Sequence, residues 1–486
     1  MKDTKAYIAL ESLTVYELNR FGKFIKSPYF NINENLTTLF NTLYDEIRSS
    51  KASKTTLDKA FVWNSLHGKA DIDDVRFRKL FSDLLKLIER FLSQEQFDNN
   101  PLHRANYLLK AISSKNLEKL YSSSISTARR LSNQQLEKTA SYYYYQYQIE
   151  KNLFSLTSEF EKKAKVKSDT SVINISDIAH NLDIFYLAEK IKYQSSLLEY
   201  KNVVTIENDK ILFIDDIIKQ IQNMDFESIP PIAIYYQIYL TLVEPENEVH
   251  FQKLKELIDI YLIIFPIEEA KGIYESAINY CVKRINTGSQ NYLEELFLLY
   301  QYGLDHKIML TKNEISPTSF RNICFIGVRL QKYDWTENFI LENQKLLNPK
   351  YRNNAVTFNL ARVATYRKEF NKVIEYLREV TFDDIVYELS SKALQISAYY
   401  ELDEIDVLAS FLSSFKTFLR RNSKIPERRK NNYLKLVIFT QKLIRLAPHM
   451  TKEIKKLEEE IQDSENFSDK KWILEKLKEL QGLPVG

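Results

Sequence analysis

Glycine is scarce in this chain, which contains eight glycines and eleven prolines among its 486 residues. Average proteins use glycine at about 7% of their positions. Sheets, open α/β folds and phosphate-binding loops need glycine for tight turns, bulges and left-handed backbone. Helices joined by short connections need few such residues. The composition therefore predicts an all-α fold.

Apolar residues recur at helical spacing along nearly the whole chain, and prolines lie between the periodic segments rather than inside them. The clearest apolar stripe consists of Phe77, Leu80, Phe81, Leu84, Ile88 and Phe91. Asp71, with Asp74 three residues later, predicts the N-cap and the acidic first turn of that helix. Residues 1–100 are predicted to form an N-terminal helical bundle.

A repeated pattern is the strongest signal in the second half of the chain. The positions that match at a shift of 34 residues are Leu360 with Leu394, Ala364 with Ala398, and Tyr366 with Tyr400. Gly327 and Ala361 are small enough to let two helices approach closely, and the aromatic side chains of Trp335 and Phe370 fill the turns that follow. Each helix pair would then leave an apolar face that the next pair covers.

These residues resemble the pattern of the tetratricopeptide superfamily over about residues 270–415. The resemblance implies an α-α superhelix, a TPR-like solenoid of stacked helix pairs whose first helices line a groove. Lys368 stands where that superfamily has glycine. The whole chain, through segments 17–31 and 76–92, also resembles a family of uncharacterised bacterial tetratricopeptide-like proteins, which implies no known activity.

Breaks in the periodic pattern divide the chain into four predicted regions. They are an N-terminal helical bundle (1–100), an irregular helical-hairpin array (101–265), degenerate TPR-like repeats (266–425) and C-terminal capping helices (426–486). The boundaries follow Pro101, Pro266 and Pro426, because proline is disfavoured inside a helix.

Charge and composition limit the partners and the compartment. A formal net charge of +3 gives no global basic field that would attract nucleic acid or an anionic membrane. Cys281 and Cys324 lie in apolar helical stretches, where they are expected to be core side chains, and two cysteines are too few for a disulfide scaffold. No signal peptide or stretch of about 18 apolar residues is apparent. We expect a cytoplasmic protein without a membrane partner.

The sequence shows no motif for catalysis or for binding a metal or cofactor. The six histidines are never three or four residues apart, and no glycine-rich phosphate loop is present. The acidic pair Asp215-Asp216 fits a helix start, where the helix dipole favours negative charge. No cofactor and no metal are therefore expected, and an enzyme is the function with the least support.

The first helices of the repeat pairs are the candidate groove helices. Their predicted ranges are 274–285, 320–331, 355–367 and 387–400. Arg329, Arg362 and Arg367 are charged residues on these helices and are predicted to contact a protein or peptide partner. For each of them the alternative is a solvated side chain or a surface ion pair.

A basic stretch spans residues 416–430. Its candidate partner-binding residues are Arg420, Arg421, Lys424, Arg428, Arg429 and Lys430. One interpretation is a solvated helix end, a second is a docking patch for an acidic protein, and a third is contact with nucleic-acid phosphates. A helix-turn-helix at 56–92 is disfavoured, because Asp71 and Asp73 would face the phosphates.

The fold analogy favours a non-enzymatic protein-protein interaction scaffold, which binds its partner through the solenoid groove or the basic stretch. The alternative is a regulatory protein that contacts nucleic acid through residues 416–430.

Overall fold

The computed structural model describes residues 1–49, 58–68, 70–135, 138–164, 174–201, 211–378, 385–423, 425–465 and 467–482. In these ranges the chain forms twenty-three α-helices and one antiparallel pair of two-residue strands. The predicted all-α fold class is confirmed. The chain divides into two compact units, Met1–Lys190 and Ile191–Gly486.

The first unit contains eight helices and the beginning of a ninth. They are α1 Lys5–Glu11, α2 Val15–Ile25, α3 Glu34–Ser49, α4 Lys59–His67, α5 Asp74–Asn99, α6 Pro101–Ser114, α7 Tyr121–Asn133, α8 Ala140–Ala164 and α9 Ile175–Lys201. A 3₁₀ turn, Glu118–Leu120, precedes α7.

Helices α1 to α5 pack around one apolar core. The predicted stripe of α5 is buried along its length. Phe21 lies in this core, with the ring centres of Phe40 and Phe91 at 5.0 and 5.3 Å. Thr14 and Glu17 form a capping box that fixes the start of α2.

The N-cap of α5 differs from the prediction. Asp73 occupies it instead of Asp71, and its Oδ1 accepts hydrogen bonds from the backbone N–H groups of Val75 and Arg76 at 2.9 and 3.0 Å. Either carboxylate could cap a helix, so sequence spacing could not choose between them.

The second unit contains the remaining fourteen helices. They are α10 Ile214–Gln222, α11 Pro230–Val243, α12 Glu248–Tyr261, α13 Ile267–Asn286, α14 Tyr292–Asp305, α15 Pro317–Arg329, α16 Tyr333–Asn343, α17 Pro349–Tyr366, α18 Phe370–Arg378, α19 Ile385–Glu401, α20 Ile405–Arg421, α21 Glu427–Leu443, α22 Thr451–Asp463 and α23 Lys470–Leu480. The strands are β1 Leu310–Thr311 and β2 Glu314–Ile315, and the 3₁₀ turns are Leu262–Ile264 and Gln344–Leu346.

From α11 onward these helices pack in sequential pairs. Within each pair the two helices are in contact, as in α13 with α14 and α17 with α18. Each second helix also contacts the first helix of the next pair, as α16 does with α17. The first helices α15, α17, α19 and α21 pack successively against one another and form one layer. This sequential packing is the arrangement expected of an α-α superhelical fold.

Four of these pairs turn through the same backbone motif. The residues with positive φ at the four turns are Gly288 (108°), Gln331 (58°), Lys368 (62°) and Asp403 (57°). At the third turn, the Glu369 N–H donates to the Ala364 carbonyl at 2.8 Å and the Lys368 N–H donates to the Thr365 carbonyl at 3.1 Å. This pattern is the Schellman motif, which satisfies the last carbonyls of the first helix.

Gly327 shows why a small residue is needed where the helices of a pair meet. A Cβ atom at this position would collide with the Thr336 side chain on α16 and would contact Trp335. The Trp335 ring packs against Phe297 and Phe339, with ring centres 4.6 and 5.4 Å away. The close approach of α15 and α16 therefore depends on Gly327.

Replacing Lys368 with glycine should stabilise the second unit. Glycine adopts the left-handed backbone of this turn without the Cβ clash, so we expect the free energy of unfolding to rise by about 1 kcal/mol. Urea unfolding followed by circular dichroism measures the change.

The matched control is Glu375→Gly, at an exposed position inside α18. It should lower stability by about 1 kcal/mol, because glycine is unfavourable in a helix interior. A destabilising Lys368→Gly substitution would contradict the assigned turn.

Candidate binding surface

Two neighbouring first helices place arginine and aromatic side chains together. On α15 the residues lie four apart and are Arg321, Phe325 and Arg329; on α17 they also lie four apart and are Phe358, Arg362 and Tyr366. Residues four apart share one face of a helix. Because α15 packs against α17, we call these six residues the arginine–aromatic face.

Arg362 lies between rings from both helices. Its guanidinium carbon is 5.3 Å from the ring centre of Phe325 on α15 and 4.7 Å from that of Phe358 on its own helix. Both distances allow cation–π attraction. The side chain is half-buried, and this burial lowers the pKa of the Arg362 guanidinium.

The hydrogen bonding of Arg362 is incomplete. Its Nη1 donates to the Arg321 carbonyl at a long 3.4 Å, which is its one hydrogen bond to a described residue. A guanidinium has five N–H donors. No carboxylate among the described residues forms an ion pair with Arg362. The positive charge of Arg321 also lowers the pKa of the Arg362 guanidinium. The face therefore holds a partly desolvated cation with unused donors.

The other arginines of the face differ in their partners. Arg329 donates from Nη2 to the Gln290 side-chain oxygen at 2.7 Å and lies 5.7 Å from the Phe325 ring centre. The Arg321 side chain makes no hydrogen bond or ion pair with a described residue and is half-buried. Phe325 and Tyr366 remain 39% and 41% exposed. The face is thus open to a ligand.

Asp469, at the N-cap of α23, is a carboxylate that acts electrostatically on this face. Its charge interacts with Arg362 and with Tyr366. The residue is exposed, yet the protein around it raises the pKa of its carboxyl group through desolvation. Its backbone is left-handed, with φ 58°, and its side chain does not cap α23.

The structure separates the three arginines predicted from the groove helices. Arg329 and Arg362 lie together on the arginine–aromatic face. Arg367 lies elsewhere, because its guanidinium forms ion pairs with Asp334 and Glu337 on α16. Its ion pairs fit the alternative interpretation of a surface bridge between α16 and the end of α17.

The basic stretch lies at the turn between α20 and α21. Arg420 and Arg421 are in the last turn of α20, where the helix dipole favours cations. Arg428 and Arg429 are in the first turn of α21, where the dipole disfavours them. All four side chains are exposed.

Of the two lysines predicted in this stretch, the structure describes one. Lys430 pairs with Glu427 at 2.6 Å, so part of its charge is neutralised. Lys424 lies outside the described residues. We call the four exposed arginines of this turn the arginine tip.

Sequence reasoning missed Arg321, Phe325, Phe358 and Tyr366. A signal was present, because an arginine, a phenylalanine and a second arginine follow one another at intervals of four in 321–329. That spacing indicates a shared helix face. It does not indicate which neighbouring helix the face meets, and this information came from the packing of α15 on α17.

Several features bear on other kinds of site. Cys281 and Cys324 are buried free thiols, as expected, and burial raises the pKa of Cys281 to about 12 and also raises that of Cys324. Within the described ranges, no three His, Cys, Asp or Glu side chains are grouped as metal ligands would be. No described helix has both the length and the apolar character of a membrane span.

Comparison with known proteins gave no match to a family model, to a curated protein or to a solved structure.

Substituting Arg362 and Arg367 separately should distinguish a binding residue from a structural one. Arg362→Met removes a half-buried cation that forms no ion pair with a described residue, so we expect unfolding stability to be unchanged or to rise by up to about 1 kcal/mol. Arg367→Met breaks two ion pairs and should lower stability by about 1 kcal/mol. Thermal and urea unfolding measure both, and a larger loss for Arg362→Met than for Arg367→Met would show that Arg362 is structural.

Proposed function

We propose that the chain is a non-enzymatic protein-interaction scaffold that binds an acidic segment of a partner protein on the arginine–aromatic face. The observation that carries this proposal is the state of Arg362, which is half-buried beside two phenylalanine rings and forms no ion pair with a described carboxylate. A partly desolvated cation is unfavourable until an anion contacts it. A carboxylate would do so through paired charge-assisted hydrogen bonds.

The composition of the face favours a peptide over a small anion. A small anion would use the guanidinium groups and leave the aromatic rings unoccupied. Phe325 and Tyr366 offer exposed rings beside the cations, and such rings contribute much of the energy at protein interfaces. A segment with acidic and apolar side chains would contact both kinds of group.

The chemical groups of the face also favour binding over catalysis. An arginine guanidinium keeps its proton near neutral pH, so it does not serve as a general base. Burial raises the pKa of Tyr366, which therefore stays protonated and is a poor nucleophile. These groups can hold and orient an anion.

The repeating turns support the proposed tetratricopeptide-like character. Equivalent turn residues Gln331, Lys368 and Asp403 are separated by 37 and 35 positions, since 368 − 331 = 37 and 403 − 368 = 35. The tetratricopeptide period is about 34 residues. Solenoids of this kind bind partners along the layer of first helices, which is where the arginine–aromatic face lies. The two unpaired thiols fit a reducing compartment such as the cytoplasm.

In this proposal the carboxylate of Asp469 interacts with Arg362, the same cation that the partner's carboxylate would contact. Its carboxyl group interacts with Arg362 without forming an ion pair, and no side-chain cap holds it in place. A bound acidic segment would therefore compete with Asp469. Removing this charge should favour the partner.

Selection from a phage-displayed library of random peptides should show the preferred partner chemistry. The unmodified protein should enrich peptides rich in Asp and Glu. Arg362→Met should weaken binding of the selected peptides by about 10-fold or more, because a charge-assisted hydrogen bond is lost. Asp469→Asn should strengthen it, and fluorescence anisotropy measures each affinity.

Arg367→Met is the matched control, since Arg367 is the C-cap residue of the same helix and lies outside the face. It should leave peptide affinity within about two-fold of the unmodified protein. Enrichment without acidic residues, or equal loss of binding in Arg362→Met and Arg367→Met, would reject the arginine–aromatic face as the binding site.

The arginine tip supports a second candidate function, contact with nucleic acid. Arg428 and Arg429 are exposed at a helix start where the dipole opposes their charge, so local helix stability does not account for them. Phosphate contacts would make use of these cations.

If the arginine tip binds nucleic acid, duplex DNA or single-stranded RNA should shift in native gels at low salt. The shift should disappear at moderate salt, because counterion release makes such binding steeply salt-dependent. The variant with Arg420→Glu, Arg421→Glu, Arg428→Glu and Arg429→Glu should bind neither. Absence of a shift with the unmodified protein at low salt would eliminate this second function.

A further inference from the structure

The first unit contains a broad depression of about 1070 Å³. It forms where the ends of α5 and α7 meet the starts of α6 and α8. Ligand pockets for small molecules usually measure about 300–1,000 Å³ and enclose most of the ligand. The volume of this depression slightly exceeds that range, and the depression is open, since Tyr107 on its wall is 51% exposed. Its size and openness suit a segment of chain.

Four ring side chains line the depression and contact one another. They are Phe97, His103, Tyr107 and Tyr145. His103 and Tyr107 are stacked, with ring centres 4.9 Å apart and planes at 28°. Phe97 lies 5.8 Å from Tyr107, and Tyr145 lies 5.7 Å from His103. The rings therefore form a continuous aromatic wall rather than separate contacts.

Two tyrosine hydroxyl groups of the depression can donate hydrogen bonds to a ligand. Asn100 donates from Nδ2 to the Tyr145 hydroxyl at 3.1 Å, so this hydroxyl accepts one bond and its own hydrogen is free to be donated. The Tyr107 hydroxyl makes no hydrogen bond to a described residue.

The side chains that line the depression determine whether a charged ligand could bind there. Among the described residues that line the depression, none is Asp, Glu, Lys or Arg. A charged ligand group would lose water here without gaining an opposite charge, which is unfavourable. The ligand should therefore be uncharged where it touches the wall.

We propose that this depression binds an uncharged, proline-containing peptide segment in the polyproline II conformation. Such a segment has no internal hydrogen bonds, so its backbone carbonyls need donors, and the hydroxyls of Tyr107 and Tyr145 can supply them. Its prolyl rings pack on aromatic faces, which is how proline-rich segments are recognised in aromatic-lined grooves.

This site is independent of the arginine–aromatic face, because all its residues belong to the first unit. The two sites also select different chemistry, since one offers cations and the described lining of the other includes no Asp, Glu, Lys or Arg. A chain with both sites would bind two different segments of partner protein.

Fluorescence anisotropy of the full chain with a fluorescein-labelled peptide of repeated Pro-Pro-Ala triplets tests the site. We expect this peptide to bind and a Gly-Ser-Ala peptide of equal length not to bind. Tyr107→Ala should weaken binding by about 10-fold, because it removes an aromatic face. Tyr145→Phe keeps the ring and should weaken binding by a smaller factor, because it removes one donor.

Tyr16→Ala is the matched control, since Tyr16 is an exposed tyrosine of the first unit outside the depression. It should not change the affinity, and circular dichroism should show that each variant is folded. No binding of the proline peptide, or equal binding of the Gly-Ser-Ala peptide, would overturn the proposal. Binding of adenosine that depends on Tyr107, without binding of the peptide, would overturn it in favour of a nucleobase pocket.

Discussion

Each helix pair of the second unit has an apolar face that its neighbour covers, and the remaining features of the unit depend on this packing. Phe358 and Ala361 on α17 are fully buried where the helices of adjacent pairs meet. The same packing places α15 beside α17 and therefore Phe325 beside Arg362. The candidate binding surface thus results from the contacts that stabilise the fold. It requires no separate loop or domain.

Arg362 shows how binding and stability can oppose one another in such an array. A half-buried guanidinium without a described ion-pair partner is a weak contributor to folding. An apolar side chain of similar length would pack there at least as well. The cation–π contacts with Phe325 and Phe358 offset part of its desolvation. Residues that reduce stability in this way are typical of sites that act on a partner.

The sequence predicted the elements of this fold better than their surfaces. Glycine scarcity and helical spacing were sufficient for the all-α class, the N-terminal bundle and the pairing around Gly327, because these depend on local pattern. The position of Arg367 away from Arg362 was harder to predict from the sequence. Five residues separate it from Arg362, and at about 100° per residue the two side chains point roughly 140° apart. Its partners, Asp334 and Glu337, lie about thirty positions earlier, beyond any local signal. The aromatic depression was missed for the same reason, since its rings come from three helices.

Hydrogen exchange of the full chain and of a chain ending after α21 tests most directly whether neighbouring pairs stabilise one another. In a linear array, removing α22 and α23 should reduce backbone protection most in α21 and α19, which contact the lost helices or their neighbours. The loss should decrease through α17 and become small at α13. A uniform loss over the second unit, or protection in α21 equal to that of the full chain, would contradict the account.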